Sequence, residues 1–293
     1  MENKRALIFG ANGQDGFYLD QLLFQNEVEV IKVSRRGNGV IGDVSDLTLV
    51  EALVKKHQPH YIFQFAANST ARHNALFENH RSISTGALNI LESARLYCPG
   101  ARIFIPGSAL QFMNNGMPID EQVPFNASSP YAVARIQSAY AARYFREQFS
   151  LKVYTGYFFN HDSPQRSEQH VNQKIVRTVQ RIAAGSNERL ILGNIDVRKE
   201  FNYAADIVDA TWQLVNQEDV HEAVLGCGKA YSIKEWVEYC FKKMNLDWTH
   251  HVTIEENYIP EYKVLVSDPG VIIKMGWRPR VDFYQLADIM LKA

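Results

Sequence analysis

Arg5-Ala6-Leu7-Ile8-Phe9-Gly10-Ala11-Asn12-Gly13-Gln14-Asp15-Gly16-Phe17-Tyr18-Leu19-Asp20-Gln21-Leu22-Leu23 is the stretch whose reading decides the fold. A short apolar run stops at a glycine, the pattern of a strand buried on both faces of a parallel sheet. From Phe17 onward the apolar residues take helical spacing. Between the two lie three glycines spaced GxxGxxG. Gly10 permits the turn, Gly13 lets the backbone approach a pyrophosphate, and Gly16 lets helix and strand pack closely. The helix that follows offers free amides and the positive end of its dipole to phosphate. Strand, glycine turn and helix in that order form the setting a dinucleotide site requires. Gly10, Asn12, Gly13, Gln14, Asp15 and Gly16 are therefore assigned to a cofactor.

The alternation continues outward. Strands are expected at 29–33, 61–65, 102–106 and 151–155, with helices at 47–56 and 79–96. This is an α/β pattern: a doubly wound parallel sheet (Rossmann fold), with ligands bound beyond the strand C-termini. Gly10, Arg35, Asn68 and Ser108 all fall at such ends. The second strand runs into Ser34-Arg35-Arg36. An NAD site usually places a carboxylate there, whereas a basic residue accommodates the 2′-phosphate of NADP. Arg35 and Arg36 favour NADP, with NAD open and a solvated basic turn as the alternative reading. Asp43 and Val44 are placed along the adenine. Ala66 and Ala67 let a cofactor lie against backbone, and Ser69 follows on the substrate side. Residues 1–158 form the dinucleotide-binding domain, with returns to the sheet near 201–230. Residues 159–200 and 231–293 form a smaller C-terminal substrate lobe, with helices at 171–184, 204–215 and 233–244 and a last one from Phe283.

Ser128-Ser129-Pro130-Tyr131-Ala132-Val133-Ala134-Arg135 starts another helix, with serine caps and proline in the first turn. One turn separates Tyr131 from Arg135, so phenol and guanidinium share a face. A cation beside a phenol favours phenolate, which makes Tyr131 an acid/base candidate for a hydroxyl or carbonyl. Taken alone, the pair reads equally as a surface tyrosine over an arginine. In the lobe, Arg166, Lys174, Arg198 and Lys199 suit a diphosphate, and each singly also reads as a surface charge.

Composition closes off other classes. The chain has 293 residues, 46% hydrophobic, with a formal net charge of −1. That balance gives no electrostatic case for nucleic acid or an anionic membrane. Cys98, Cys227 and Cys240 are odd in number and far apart, which argues against a disulfide framework or a metal cluster and fits a reducing compartment. Met1 to Arg5 is charged, and no apolar run is long enough to span a bilayer. A cytoplasmic protein is expected.

The glycine turn, a serine after the fourth strand and a tyrosine with a cation one turn on together resemble the extended short-chain dehydrogenase/reductase superfamily. Closer matching is to its GDP-mannose 4,6-dehydratase branch. The matching segments are Gly10 to Leu19 with its Gln-Asp-Gly core, the Arg35-Arg36 pair, Ser129 to Ala134, Phe159-Asn160-His161-Asp162-Ser163-Pro164-Gln165-Arg166, and Leu192-Gly193-Asn194-Ile195-Asp196. The resemblance implies that Ser108, Tyr131 and Arg135 are catalytic, with Tyr131 and Arg135 also touching the cofactor. It implies that Ser69, Ser108, Asn160, Arg166, Lys174, Gly193, Arg198, Lys199 and Glu261 bind a GDP-sugar. It also implies a homodimer built from the helices at 79–96 and 131–149.

Four departures bear on function. Arg135 stands where the family has lysine, and its planar fork differs in reach and hydration. Leu110 stands where the dehydratases carry the glutamate that removes the C5 proton and assists loss of the C6 hydroxyl, and leucine has no proton to give or take. The loop after Arg36 is short, and Ile259 replaces an arginine of the late loop. Oxidation or reduction at C4 needs only the Ser108 and Tyr131 hydroxyls and a hydride partner. The expected function is an NAD(P)-dependent GDP-hexose enzyme transferring hydride at C4, as a 4-keto-6-deoxy sugar reductase or C4 dehydrogenase. The alternatives are a GDP-mannose 4,6-dehydratase with a relocated base, Glu121 and Asp120 being the nearest spare carboxylates, and a catalytically weak nucleotide-sugar-binding partner or regulatory subunit.

Overall fold

The computed structural model describes residues 4–293, so Met1–Asn3 of the charged start lie outside the described residues. In chain order the first half carries β1 (Arg5–Phe9), α1 (Gln14–Gln25), β2 (Glu29–Ser34), β3 (Val40–Ile41), α2 (Leu47–His57), β4 (Tyr61–Gln64), α3 (Leu76–Asn79), a π turn (His80–Thr85), α4 (Gly86–Tyr97), β5 (Arg102–Phe104), β6 (Gly107–Ser108) and α5 (Pro130–Phe149). The second half carries β7 (Lys152–Phe158), β8 (His161–Asp162), α6 (Val171–Ala183), β9 (Leu190–Leu192), β10 (Arg198–Glu200), β11 (Asn202–Tyr203), α7 (Ala204–Val215), β12 (Glu222–Leu225), β13 (Ala230–Ser232), α8 (Ile233–Lys243), β14 (Val252–Ile254), β15 (Val264–Leu265), α9 (Gly270–Lys274) and α10 (Phe283–Lys292). The main sheet runs β12-β7-β5-β4-β1-β2-β3, with β6 alongside β7. Every pairing in it is parallel. This is the doubly wound sheet expected from the sequence.

Side chains alternate across a strand, and β1 shows why its run is apolar throughout. Leu7 and Phe9 pack under α2, α4 and α5 with Val50, Val54, Ile90, Leu91 and Phe145. Ala6 and Ile8 pack on the opposite face with Leu19 and Leu23 of α1 and Ile207 and Leu214 of α7. Each large side chain buried this way contributes about 1.5–3 kcal/mol. A separate core fills the C-terminal lobe, where Ile175 and Val179 of α6 meet Trp236 and Phe241 of α8 and Leu286 of α10.

Several elements differ from the sequence reading. The helix expected over 79–96 begins at Leu76 and widens into the π turn. There the inward Gln64 amide donates to the Ser82 carbonyl at 2.7 Å, drawing it from the regular ladder. The fifth strand runs on to Phe158, because β12 pairs with it from Thr155 to Phe158. Just after it, His161 and Asp162 form the short strand β8, pairing with Asn202 and Tyr203. The charged stretch at 196–201 contains β10, held between β13 and β15. Its Glu200 is fully buried. That carboxylate accepts from the amides of Ser267 (2.6 Å), Cys227 (2.7 Å) and Gly228 (3.2 Å) and from the Asn202 side chain (2.9 Å). One acid thus ties two loops to β11, and the hydrogen bonds offset its desolvation.

Candidate active site

The glycine turn brings β1, β4 and α1 closer together than any side chain permits. Gly10 has φ +88°, and a Cβ there would lie 2.5 Å from the Ala66 amide nitrogen. At Gly16 a Cβ would lie 2.6 Å from Ala11 Cα. Asn12 donates from Nδ2 to Ser34 Oγ at 2.8 Å and to the Arg36 carbonyl, tying the turn to the end of β2. These residues bound a groove of about 680 Å³, which also takes in Gly13, Arg35, Arg36, Asp43, Val44, Ala66 and Ala67. Two further lining residues, Glu78 and Ser82, carry no local signal in the sequence. Glu78 lies 3.3 Å from Arg35 Nη1 and accepts from Asn68 Nδ2 at 2.9 Å. The Arg36 guanidinium has no partner among the described residues.

Gln14 and Asp15 have side-chain partners that the sequence reading did not foresee. Ser163 Oγ donates to Gln14 Oε1 at 2.8 Å. His161 Nε2 lies 3.0 Å from Asp15 Oδ1, and its Nδ1 lies 2.8 Å from the Phe159 carbonyl. With acceptors at both ring nitrogens, the imidazolium is favoured. Burial works against each charge, but the pair overcomes it: the Asp15 carboxylate raises the His161 pKa, and His161 with Arg166 holds Asp15 down at about 2. The start of α1 is thereby bolted to the segment after β7. The Gln14 and Asp15 side chains are thereby taken up within the protein.

Beyond the strand C-termini lies a cavity of about 380 Å³ between sheet and lobe. One wall is the expected trio. Ser129 caps α5 by accepting from the Ala132 amide at 3.1 Å. One turn apart on that helix, Arg135 Nε donates to Tyr131 Oη at 3.2 Å, and Arg135 Nη1 donates to the Pro106 carbonyl at 2.6 Å. Tyr131 and Arg135 are both buried, so the surface-pair alternative is set aside. Ser108 Oγ accepts from the Leu110 amide at 3.2 Å, and the Ser108 amide donates to Gln111 Oε1 at 2.8 Å. That cap occupies an acceptor lobe of the hydroxyl and leaves its hydrogen for a ligand.

The opposite wall is cationic. Arg166 Nε is buried without a hydrogen bond, 3.7 Å from Asp162 Oδ1. Lys199 is only 6% exposed, and its ammonium has neither a hydrogen-bond nor an ion-pair partner among the described residues. Burial favours its neutral form, and Arg166 adds to that against the pull of Asp162. Ser69, Asn160 and Ala67 also line the cavity, with His170 and Tyr262, which the sequence reading missed. Past Leu110 a side chamber of about 350 Å³ opens, with Glu261 lining both spaces.

Three expected substrate residues lie elsewhere. Lys174 Nζ donates to the Ile191 carbonyl at 2.6 Å, because its position on α6 points it at β9. Arg198 is exposed and held by Glu235 (3.4 Å) and the Ala230 carbonyl (2.8 Å), since strand alternation sends it opposite to Lys199. Gly193 lies under the Tyr258 ring, where a Cβ would come within 2.4 Å of ring carbon. Of the spare carboxylates, Glu121 accepts from the Val224 amide at 2.6 Å and lines a different depression, beside Arg143 and Glu222. Asp120 caps the following turn through the Gln122 amide.

The architecture is shared along the whole chain with enzymes of known structure. The dTDP-glucose 4,6-dehydratase of Bacillus anthracis, solved with NAD, superposes with a TM-score of 0.87 over 99% of this chain and 96% of that one at 15% identity. RMD from Pseudomonas aeruginosa, solved with NADPH, gives 0.86 over 99% and 98% at 18% identity. The fold is that of the extended short-chain dehydrogenase/reductases. Sequence narrows this further. The chain is 29% identical to GDP-mannose 4,6 dehydratase 1 of Arabidopsis thaliana, over 98% of this chain and 89% of the relative. The family model for GDP-mannose 4,6 dehydratase matches residues 38–290, and the chain belongs to that family. It is accordingly an enzyme of the nicotinamide-dependent nucleotide-sugar class, and no described helix is long and apolar enough to cross a membrane.

Proposed function

We propose that this protein transfers hydride at C4 of a GDP-hexose, reducing a 4-keto-6-deoxy sugar or oxidising the corresponding alcohol. The observation that carries the reading is the cavity wall itself: the Ser108 and Tyr131 hydroxyls are present, and Leu110 stands where elimination needs a carboxylate. The nicotinamide supplies the hydride to C4 when bound. Ser108 donates a hydrogen bond to the C4 oxygen, and Tyr131 delivers the proton that converts the carbonyl to a hydroxyl. Arg135 holds the Tyr131 oxygen in place through Nε while Pro106 anchors the other arm of the guanidinium. The substrate diphosphate lies against Arg166 and Lys199, whose donors are unsatisfied. Arg36, unpaired at the groove, supports NADP over NAD. Leu88 and Leu96 of α4 and Tyr140, Tyr144 and Phe149 of α5 are exposed together, which supports a homodimer through these helices. The three free thiols agree with a cytoplasmic setting.

A second reading has its own observation. Glu261 lines both chambers, whereas Asp15, the other carboxylate lining the central cavity, is held by His161, so Glu261 is the carboxylate available to serve a dehydratase as a relocated base. One experiment separates these. The purified protein is incubated with GDP-mannose and, separately, with GDP-4-keto-6-deoxymannose plus NADPH, following 340 nm absorbance and product mass. NADPH consumption with a gain of two hydrogens, on the keto sugar alone, is expected. Loss of one water from GDP-mannose without net cofactor use overturns the reductase in favour of the dehydratase. Binding without turnover of either sugar points to a regulatory subunit.

A further inference from the structure

We propose that His170 is a ligand of the substrate diphosphate, neutral in the empty cavity and protonated as the diphosphate arrives. This rests on the reading that a nucleoside-diphosphate sugar occupies the central cavity.

His170 is the residue before α6, in extended conformation, and its side chain does not cap the helix. The imidazole has no hydrogen-bond partner among the described residues and faces the cavity beside Val171, whose amide opens the helix. A helix start alone is a weak anion site. Here Lys199, nearly fully buried and unpaired, comes to the same wall from β10. Arg166, with its orphaned Nε, comes from the preceding loop. The charges facing His170 are Arg166, Lys199 and the imidazole of His161, against the single carboxylate of Asp162. Asp162 is already engaged by Asn172 Nδ2 at 2.6 Å and lies near Arg166. Lys174, on α6 itself, directs its ammonium to the Ile191 carbonyl. An additional positive charge is therefore unwelcome until an anion enters.

Burial, Arg166 and Lys199 hold the free imidazole at about 4. A diphosphate reverses the local field and returns the ring toward its ordinary value near 6.5. The bound state then carries more protons than the free state between those two values, so binding tightens as pH falls through that window. A diphosphate esterified at both ends has no group of its own titrating there, unlike a phosphate monoester, whose second pKa is about 6. Any proton taken up must therefore be bound by a group of the protein. With full recovery of the ring, affinity rises about 20-fold from pH 7 to pH 5.

The test is calorimetry of GDP-mannose binding at pH 6, without added cofactor, in buffers of differing ionisation heat. The expected result is uptake of about 0.8 proton per site. Uptake should be absent in His170→Gln, which still binds the sugar nucleotide, and absent when NAD is the probe, its diphosphate being a diester as well. In protein labelled with ¹³C-histidine, the resonance missing from His170→Gln should shift its midpoint upward on binding. Buffer-independent heats, or equal uptake in His170→Gln, overturn the proposal. Uptake with NAD rather than GDP-mannose also overturns it, by giving the cluster to the cofactor. If only a uridine or thymidine diphosphate sugar binds, with uptake lost in His170→Gln, the guanine assignment falls and the inference stands. If no nucleotide sugar binds at any pH, both fall.

Discussion

The two walls of the central cavity treat a buried cation in opposite ways. Arg135 is enclosed with its partners already in place, one arm on Tyr131 and another on the Pro106 carbonyl. Lys199 is equally enclosed; its ammonium lies 5.3 Å from the centre of the Phe201 ring and has no hydrogen-bond or ion-pair partner among the described residues. The first wall is finished before any ligand arrives, which suits a group that must present one oxygen in one position. The second wall is left open to the proposed anion. Desolvating a charge without a partner destabilises the empty protein, and that cost is returned as binding energy. Chemistry and affinity are thereby separated across a few ångströms of one cavity.

Substitutions that strike one wall and spare the other test this division. Tyr131→Phe should cause the largest change, a loss of turnover of about 10³-fold. KM and melting temperature should change little, because the hydroxyl's one protein partner is Arg135. A rise in KM at constant kcat would erase the distinction between the walls. Lys199→Met should raise KM for the nucleotide sugar about 30-fold with kcat within a factor of three, while stabilising the empty protein by about 1–3 kcal/mol in denaturant titration. A destabilised empty protein would show that Lys199 has a structural partner after all. Arg198→Ala, one residue away, should change KM by less than about twofold, since its partners are Glu235 and the Ala230 carbonyl at the surface. An effect as large as that of Lys199→Met would put both residues on the anion.

How much of this was legible in the sequence depended on distance along the chain. The glycine turn, the strand–helix alternation and the Tyr131–Arg135 pair rest on spacing of a few residues, which helix and strand periods control. The cationic wall rests on which neighbour of a charged pair faces inward. Arg198 and Lys199 look alike in sequence, and the strand alternation that separates them depends on the pairing of β10 with β13 and β15. Lys174 was assigned to a diphosphate as a basic residue of the lobe and through the family resemblance, but its ammonium is directed to the Ile191 carbonyl. Glu78 reaches Arg35 from 43 residues away. His170 precedes a helix where serine or aspartate would be the ordinary cap, an oddity visible in the sequence but without meaning until Arg166 and Lys199 stood beside it. Gln14 and Asp15 were read from their motif as cofactor residues, whereas their side chains lock onto His161 and Ser163.

The strand β10 carries a further consequence. Lys199 lines the cavity and Glu200, next to it, meets the loop amides of Cys227, Gly228 and Ser267, each side chain buried. Alternation makes this arrangement sensitive to parity. Deleting or inserting a single residue just before β10 would exchange the two, presenting a carboxylate to the diphosphate and an ammonium to the three loop amides that now donate to Glu200. One site would acquire like-charge repulsion and the other a cationic donor facing N–H donors with no acceptor between them. The approach to this strand can therefore change length only in steps of two, a constraint on insertion and deletion that no single substitution would reveal.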